Sequence, residues 1–157
     1  MNDSIRLDEE RILSCSWGKS GGSMECDISD IHEDFGQLTQ SYTVESMTTD
    51  GKLVYGSEFL LFKKGKAVPE DFSRYPKEIK AKIWMLVFAI KERFFKEVQP
   101  DVVEHFIKQP YSVQQRFRLY SRWLRPPGYE IHKTAYTIVY TKKTSTDDGG
   151  GFFMNPN

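Results

Sequence analysis

The stretch PKEIKAKIWMLVFAIKERFFKEV, residues 76–98, decides the fold. Its apolar side chains recur every three or four positions, as one stripe of a 3.6-residue helix does: Ile79, Ile83, Leu86, Ile90 and Phe94. The unbroken apolar run from Trp84 to Ile90 widens this surface and predicts burial on more than one side. Pro76 suits the first helical turn, and Pro100 prevents the helix from continuing. We therefore predict a long central helix that the rest of the chain covers.

Composition places the chain in the size range of one domain. Its 157 residues carry 22 Lys plus Arg and 22 Asp plus Glu, so the net charge is zero and argues neither for nor against binding of nucleic acid. The only cysteines, Cys15 and Cys26, lack zinc or CxxC spacing and are expected to be free, buried thiols. The charged start and the lysines of residues 76–98 argue against a secretory signal and a membrane span, which predicts a cytoplasmic protein.

We expect a single folded domain over residues 1–142, in which residues 1–10 form either a flexible arm or a short helix. Residues 143–157 are polar and rich in glycine, which is typical of a disordered tail.

Strand patterns dominate before the central helix. RILSCSW (11–17) predicts a strand, the glycines of GKSGGS (18–23) predict a loop, and SMECDIS (23–29) predicts a second strand. The acidic segment 27–36 lacks calcium-loop spacing and is expected to be a solvated loop with His32 on the surface. Alternating runs around Asp50-Gly51 predict an antiparallel hairpin, within which Gly56 marks a bulge or the close approach of another backbone.

After the central helix, DVVEHFI (101–107) predicts a short strand with His105 on one face and Glu104 on the other. Since it completes a β–α–β unit, it should run parallel to the strand before the helix. SVQQRFRLYSRWLRPPG (112–128) predicts a second helix that Ser112 caps and Pro-Pro-Gly ends. The runs YEIH and TAYTIVYTKK predict a terminal strand or hairpin.

The second helix offers the best candidate surface for a partner. Beside its apolar stripe, Arg118, Arg122 and Arg125 recur at helical spacing next to Trp123; we call these four residues the arginine edge. Arginine beside aromatic rings suits phosphate backbones and stacked bases, and it also suits an acidic protein. The alternative is a solvated face whose arginines pair with the protein's own acids, such as those at 27–34.

Other short motifs do not meet their requirements. GKS at 18–20 resembles the end of a phosphate-binding P-loop, but the position five residues before Gly18 is Leu13 instead of glycine. His132-Lys-Thr134 has the His-x-Thr form that two-histidine phosphoesterases use in pairs, and the chain has no second copy. No zinc or calcium spacing is present, so we expect no bound metal.

The succession from residue 40 to 143 resembles the acetyltransferase fold of the GNAT superfamily, in particular the small divergent members of bacteriophages and mobile elements. The resemblance is carried by WMLVFAI in the long helix, Pro100-Asp101 before the short strand, Arg116 with Leu119-Tyr120, and Gly128-Tyr129. It implies an α+β fold: a GNAT-like mixed β-sheet packed around a long central helix, with a second C-terminal helix and a terminal strand. It also implies an accessory or anti-defence factor that acts by protein or nucleic-acid contact.

The resemblance further implies where coenzyme A would bind. Active members hold its pyrophosphate on backbone N–H groups of an Arg/Gln-x-x-Gly-x-Gly/Ala turn at the start of the long helix. Here that place reads Arg74-Tyr-Pro-Lys-Glu-Ile79, which has no glycine, and Pro76 has no N–H. We therefore expect no cofactor and an interaction protein instead of an enzyme.

Two alternatives to an interaction protein stay open. The first is an N-acetyltransferase that uses acetyl-coenzyme A, with Arg74 and Lys77 at the coenzyme, Tyr120 as the acid and Glu104 or His105 as the base. The second is a virion or assembly protein.

Overall fold

The computed structural model describes residues 5–68, 75–107 and 112–144. They form an α+β fold in which one eight-stranded mixed sheet carries two helices. The strands are β1 (Ile12–Cys15), β2 (Gly21–Asp27), β3 (Gln37–Met47), β4 (Leu53–Lys63), β5 (Lys66–Ala67), β6 (Val102–Phe106), β7 (Tyr129–Lys133) and β8 (Thr137–Lys142). The helices are α1 (Lys77–Val98) and α2 (Val113–Trp123). The strand order is β1-β2-β3-β4-β6-β8-β7, and β5 pairs with β4.

Among the described strands, β4 and β6 form the only parallel pair, and α1 connects them. The predicted β–α–β unit is therefore confirmed, as is the antiparallel hairpin of β3 and β4 around Gly51, whose φ is 85°. The parallel pairing is short, since it joins only residues 54–56 to residues 102–104. Beyond Gly56 and Glu104 the two strands part, while β4 continues to Lys63.

Helix α1 is buried on two sides, as its apolar pattern predicts. Toward the sheet, four residues of the predicted stripe are fully buried: Ile83, Leu86, Ile90 and Phe94. Toward α2, the rings of Trp84 and Phe88 pack against Tyr120, with centroids 6.2 and 5.3 Å away. Burying each such large apolar side chain contributes about 1.5–3 kcal/mol, so α1 is a main source of stability. The helix stops at Gln99, which adopts the left-handed conformation (φ 54°) before Pro100.

Both helices lie on the same face of the sheet. Strand register aligns the buried side chains of neighbouring strands on this face, and they form two continuous apolar clusters with α1 and α2. The alternate side chains point to the opposite face, and no helix in the described ranges covers it. We call this second surface the open face. Neither α1 nor α2 is long and apolar enough to cross a membrane.

Helix α2 is shorter than the predicted segment 112–128. Ser112 has φ −91° and ψ −5° and makes no capping hydrogen bond, because a capping residue needs an extended backbone to turn its oxygen toward the first N–H groups. The helix ends at Trp123, and Leu124 is already extended (φ −121°, ψ 93°). Arg125 precedes a proline, which disfavours helical backbone at that position.

Three further expectations are corrected by tertiary contacts. Cys15 lies on the edge strand β1 and is exposed, whereas Cys26 is buried, which raises the pKa of its thiol to about 11. His32 is half-buried, with its ring 5.0 Å from that of Tyr75. The bulge lies on β3 between Val44 and Ser46, opposite Tyr55 and Val54, and the group that approaches Gly56 is the carboxylate of Glu45 instead of a backbone.

At the ends of the chain, Ile5 and Leu7 of the predicted arm pack partly against the core, and Glu9 pairs with Arg93 at 3.1 Å. Residues 1–4, Arg74 and the predicted tail beyond residue 144 lie outside the described residues.

Candidate functional site

Polar side chains meet in the core close to the point where β4 and β6 part. Lys91 of α1 is 1% exposed, and its Nζ donates to Ser57 Oγ of β4 at 2.7 Å. Gln40 of β3, fully buried, donates from Nε2 to the same oxygen at 2.9 Å. His105 of β6 and Tyr120 of α2 lie alongside, with ring centroids 4.9 Å apart. We call these five residues the polar cluster.

Lys91 is the unusual member of the polar cluster. Its Nζ lies 5.9 Å from the centroid of the Tyr120 ring, and no carboxylate of the described residues pairs with it. Burial disfavours the charged amine, and the positive charge of Arg116 adds to this effect, so the pKa of Lys91 falls to about 7. Near neutral pH, a substantial fraction of the molecules therefore holds a neutral amine in the core.

His105 is held neutral by the same surroundings. Burial, followed by the nearby Lys91 charge, lowers the pKa of His105 well below its usual value. Its Nδ1 lies 3.3 Å from the backbone oxygen of Ile138, which assigns the ring proton to Nδ1. Nε2 then carries no proton and can accept a hydrogen bond through its lone pair, but it has no hydrogen-bond partner among the described residues.

Two neighbours of Ser57 also have unused hydrogen-bonding capacity. Gln40 Oε1 and the Tyr42 hydroxyl are buried, and neither makes a hydrogen bond of good geometry in the described ranges, although the Ser57 hydroxyl is close enough to oppose the rise that burial causes in the pKa of Tyr42. Tyr42 stands directly opposite Ser57 in the β3–β4 register. Buried polar atoms without partners are rare in folded proteins, and each disfavours the folded state by about 1–3 kcal/mol. Their concentration around Ser57 makes the polar cluster a candidate binding or catalytic centre.

Tyr120 is placed between the helices and the sheet. Burial raises the pKa of its hydroxyl to about 12, although the charge of Arg116 opposes this rise. Tyr120 and His105 are each only 3% exposed. Glu104 points to the open face, so the structure brings Tyr120 and His105 together and leaves Glu104 apart from them.

The start of α1 has few free donors for an anion. Pro76 contributes no N–H, and the N–H groups of Ile79 and Lys80 both donate to the Pro76 oxygen, at 3.0 and 3.1 Å. Lys77 is exposed. Within the described part of this turn, only Lys77 and Glu78 retain N–H groups that lack an acceptor in the helix.

The arginine edge is a second, separate candidate. Arg118, Arg122 and Arg125 are exposed, and Trp123 is 57% exposed with the Arg122 guanidinium 5.3 Å from its ring centroid. Arg118 and Arg122 lie on α2, whereas Arg125 follows the helix and donates to the Ser121 oxygen at 3.3 Å. Among the described residues, no carboxylate pairs with any of the three arginines.

Three of the four acids at 27–34 have other partners, and the fourth, Glu33, forms no ion pair among the described residues. Asp30 pairs with Arg11 at 2.8 Å, Asp34 accepts a hydrogen bond from the Tyr75 hydroxyl at 2.9 Å, and Asp27 accepts one from Ser29. The alternative that these acids neutralise the arginine edge is therefore wrong.

No protein-family model matches the chain, and no curated protein is significantly similar to it in sequence. Within residues 5–68, 75–107 and 112–144, no group of three His, Cys, Asp or Glu side chains is arranged to hold a metal ion.

Sequence reasoning missed Lys91, Ser57 and Gln40. In the sequence Lys91 reads as one more surface charge of α1. A signal was present, since Lys91 is four residues from both Val87 and Phe95 and so falls within the apolar sector of the helix.

Proposed function

We propose that this chain is a GNAT-like interaction protein that binds an acidic partner protein through the arginine edge. The observation that carries the proposal is a set of three exposed guanidinium groups with no carboxylate partner among the described residues, beside an exposed Trp123. Arginine and tryptophan are the residues that most often dominate binding energy at protein interfaces. Arginine also binds carboxylates through two parallel hydrogen bonds, which favours an acidic partner.

The GNAT-like part of the proposal is supported by topology. The antiparallel hairpin of β3 and β4, the α1 crossover to a parallel β6, and the terminal strand β8 after α2 follow the order that the resemblance implies. A shared fold carries no function by itself, so the role must come from the surfaces.

The same geometry argues against catalysis by the residues that the resemblance implies. Tyr120 and His105 are each 3% exposed, and catalytic groups must reach their substrate. The start of α1 has few free N–H groups, whereas binding of a pyrophosphate depends on several.

The polar cluster favours one second candidate, the acetyl-coenzyme A-dependent N-acetyltransferase. His105 Nε2 has an unused lone pair that could accept a proton from an amine substrate. Tyr120, with its pKa near 12, keeps a proton that it could donate to a departing thiolate. This chemistry requires that the polar cluster open, so that acetyl-coenzyme A can reach Tyr120 and His105.

Calorimetry with acetyl-coenzyme A separates the two candidates. We expect no binding in the micromolar range. Micromolar binding that Lys77→Ala weakens and Tyr120→Phe leaves intact, with loss of acetyl transfer in the Tyr120 variant, would establish the enzyme instead.

The arginine edge is tested with a glutamate-rich peptide as the probe. The variant Arg118→Ala/Arg122→Ala/Arg125→Ala should lose at least about tenfold in affinity, since charge-assisted hydrogen bonds contribute about 1.5–3 kcal/mol. The matched control Lys66→Ala/Lys96→Ala/Lys143→Ala removes the same charge elsewhere and should bind as the wild type does. Thermal melting should stay within a few degrees for both, because the altered side chains are exposed.

Two other outcomes of the peptide-binding experiment would contradict binding of an acidic protein by the arginine edge. Equal losses in the two triple variants would show attraction by overall charge, and would refute a specific edge. Tighter binding of a single-stranded DNA of equal charge would identify nucleic acid as the partner, with the salt dependence that phosphate contacts produce.

A further inference from the structure

The open face carries charge of one sign. Strand register and burial place five glutamates on it, and we define them by residue: Glu25, Glu45, Glu58, Glu104 and Glu130. The lysines of β4, β5, β7 and β8 occupy the alternate strand positions, whose side chains point to the face that the helices cover. In the described strands, the open face therefore has carboxylates and no lysine or arginine.

Three of these glutamates surround Gly56, and we call them the acidic patch: Glu45, Glu58 and Glu104. Gly56 is directly opposite Glu104 in the parallel pair, and the Glu45 carboxylate lies against the Gly56 backbone, where any larger residue would place its side chain. Glu58 follows Gly56 by two residues on the same face. No cation among the described residues pairs with any of the three.

The acidic patch and the arginine edge match in spacing. With strands about 4.8 Å apart and about 3.3 Å per residue, the backbones of Glu58 and Glu104 are at least roughly 8 Å apart, since the two strands part beyond Gly56. Arg118 and Arg122 are four residues apart on α2, which is roughly 6 Å along the axis. Both sets of charges have long side chains that can absorb this difference.

The two surfaces cannot meet within one molecule. Val113, Tyr120 and Leu124 turn the apolar side of α2 toward the sheet, so the exposed Arg118 and Arg122 point away from the sheet. The acidic patch is on the far side of that sheet. A chain with no net charge thus presents opposite charges on opposite sides.

We propose that the acidic patch of one molecule binds the arginine edge of a second copy, so that the chain assembles head to tail. This inference rests on the proposed function, whose acidic partner it names. Because the two surfaces differ and lie on opposite sides, the contact is heterologous and extends beyond a dimer. Exposed ion pairs alone contribute little, and the exposed rings of Trp123 and Phe106 (65% exposed) supply apolar area beside them.

Sedimentation velocity over a range of concentrations tests the assembly. The wild-type chain should form dimers and larger species that increase with concentration and dissociate in high salt. Two triple variants should each stay monomeric: Arg118→Ala/Arg122→Ala/Arg125→Ala, and Glu45→Gln/Glu58→Gln/Glu104→Gln. The control Glu33→Gln/Glu78→Gln/Glu92→Gln alters exposed acids away from the open face and should assemble as the wild type does.

The decisive step is to mix the two monomeric variants. One retains the acidic patch and the other retains the arginine edge, so the mixture should form a one-to-one dimer that cannot grow further. A mixture that stays monomeric refutes the proposal, provided that circular dichroism shows both variants folded. Assembly of the glutamate variant on its own also refutes it.

Self-association and peptide binding are measured separately, so either can be absent without the other. If the wild type stays monomeric yet binds the glutamate-rich peptide through its arginine edge, self-assembly is wrong and the proposed function stands. If neither occurs, both are wrong.

Discussion

Replacing Lys91 by Met tests whether an unpaired amine is buried in the core. Burial and the Arg116 charge lower the pKa of Lys91 from 10.5 to about 7. At about 1.4 kcal/mol per pKa unit, the folded state disfavours the charged amine by roughly 5 kcal/mol. Methionine fills a similar space without a charge, and it forfeits the hydrogen bond to Ser57, which is a loss of about 1 kcal/mol. We therefore expect Lys91→Met to be more stable than wild type by roughly 2–4 kcal/mol at pH 6.

The pH dependence has a defined sign. Below pH 7 the Lys91 amine is protonated in both the folded and the unfolded state, and its full destabilising effect is present. Between pH 7 and 10.5 the unfolded chain binds more protons than the folded protein, so the free energy of unfolding of the wild type rises with pH. The advantage of Lys91→Met should consequently shrink by about 2–3 kcal/mol from pH 7 to pH 9.

Other groups facing Lys91 do not disturb this window. Burial keeps His105 neutral, with its pKa well below the usual value, and it keeps Tyr42 and Tyr120 protonated. Arg116 remains charged throughout. The stability that protonated Cys26 contributes is lost only as pH rises above its unfolded pKa of 9.

Urea unfolding followed by tryptophan fluorescence at pH 6, 7, 8 and 9 measures the difference. Lys96→Met, at an exposed position of the same helix, is the control and should differ little from wild type at any pH. A Lys91→Met variant that is less stable at pH 6, with a difference that does not change with pH, would show that the amine is hydrated or paired and would refute the reasoning.

Two further substitutions test the core and the open face. Leu86→Ala should lower the free energy of unfolding by about 2–5 kcal/mol, because Leu86 is fully buried. Met85→Ala, at the exposed neighbouring position, should lower it by less than about 1 kcal/mol. Chemical denaturation compares the two variants, and equal losses would contradict the packing of α1. Gly56→Ala should change stability by about 1 kcal/mol at most, since Gly56 does not have positive φ and an added Cβ meets only the end of the Glu45 side chain. Displacing that carboxylate should weaken self-association in sedimentation, and unchanged association would remove Glu45 from the acidic patch.

The elements that the sequence predicts best are those with local determinants. Prolines at 76 and 100 bound α1, and Asp50-Gly51 supplies the turn of the β3–β4 hairpin; neither needs the rest of the chain. The predictions that Ser112 caps α2, that His32 lies on the surface and that Cys15 is buried are wrong because they depend on distant parts of the chain. A cap depends on the backbone angles that neighbouring elements impose, and the burial of a side chain depends on which residues, such as Tyr75, come to lie over it.

The candidate sites divide in the same way. The arginine edge is visible in the sequence because all its members belong to α2 or the two residues after it. The polar cluster draws on β3, β4, β6, α1 and α2, so its members become neighbours only in the folded protein. The apolar sector of α1 does single out Lys91, but Ser57 as its partner follows only from the packing of α1 on β4.

The acidic patch has a second role that follows from the physics of strand pairing. A slip of one residue in β3, β4 or β6 would turn that strand's glutamates beneath the helices, where unpaired carboxylates are strongly disfavoured. The alternation of acids with residues such as Tyr55 and Val103 therefore helps to fix the register of the sheet. Register specification alone explains why the glutamates face away from the helices, but it would tolerate lysines on the open face equally well. The exclusion of cations from these strands' open side thus needs a separate cause, and a basic partner such as the arginine edge of another copy supplies one.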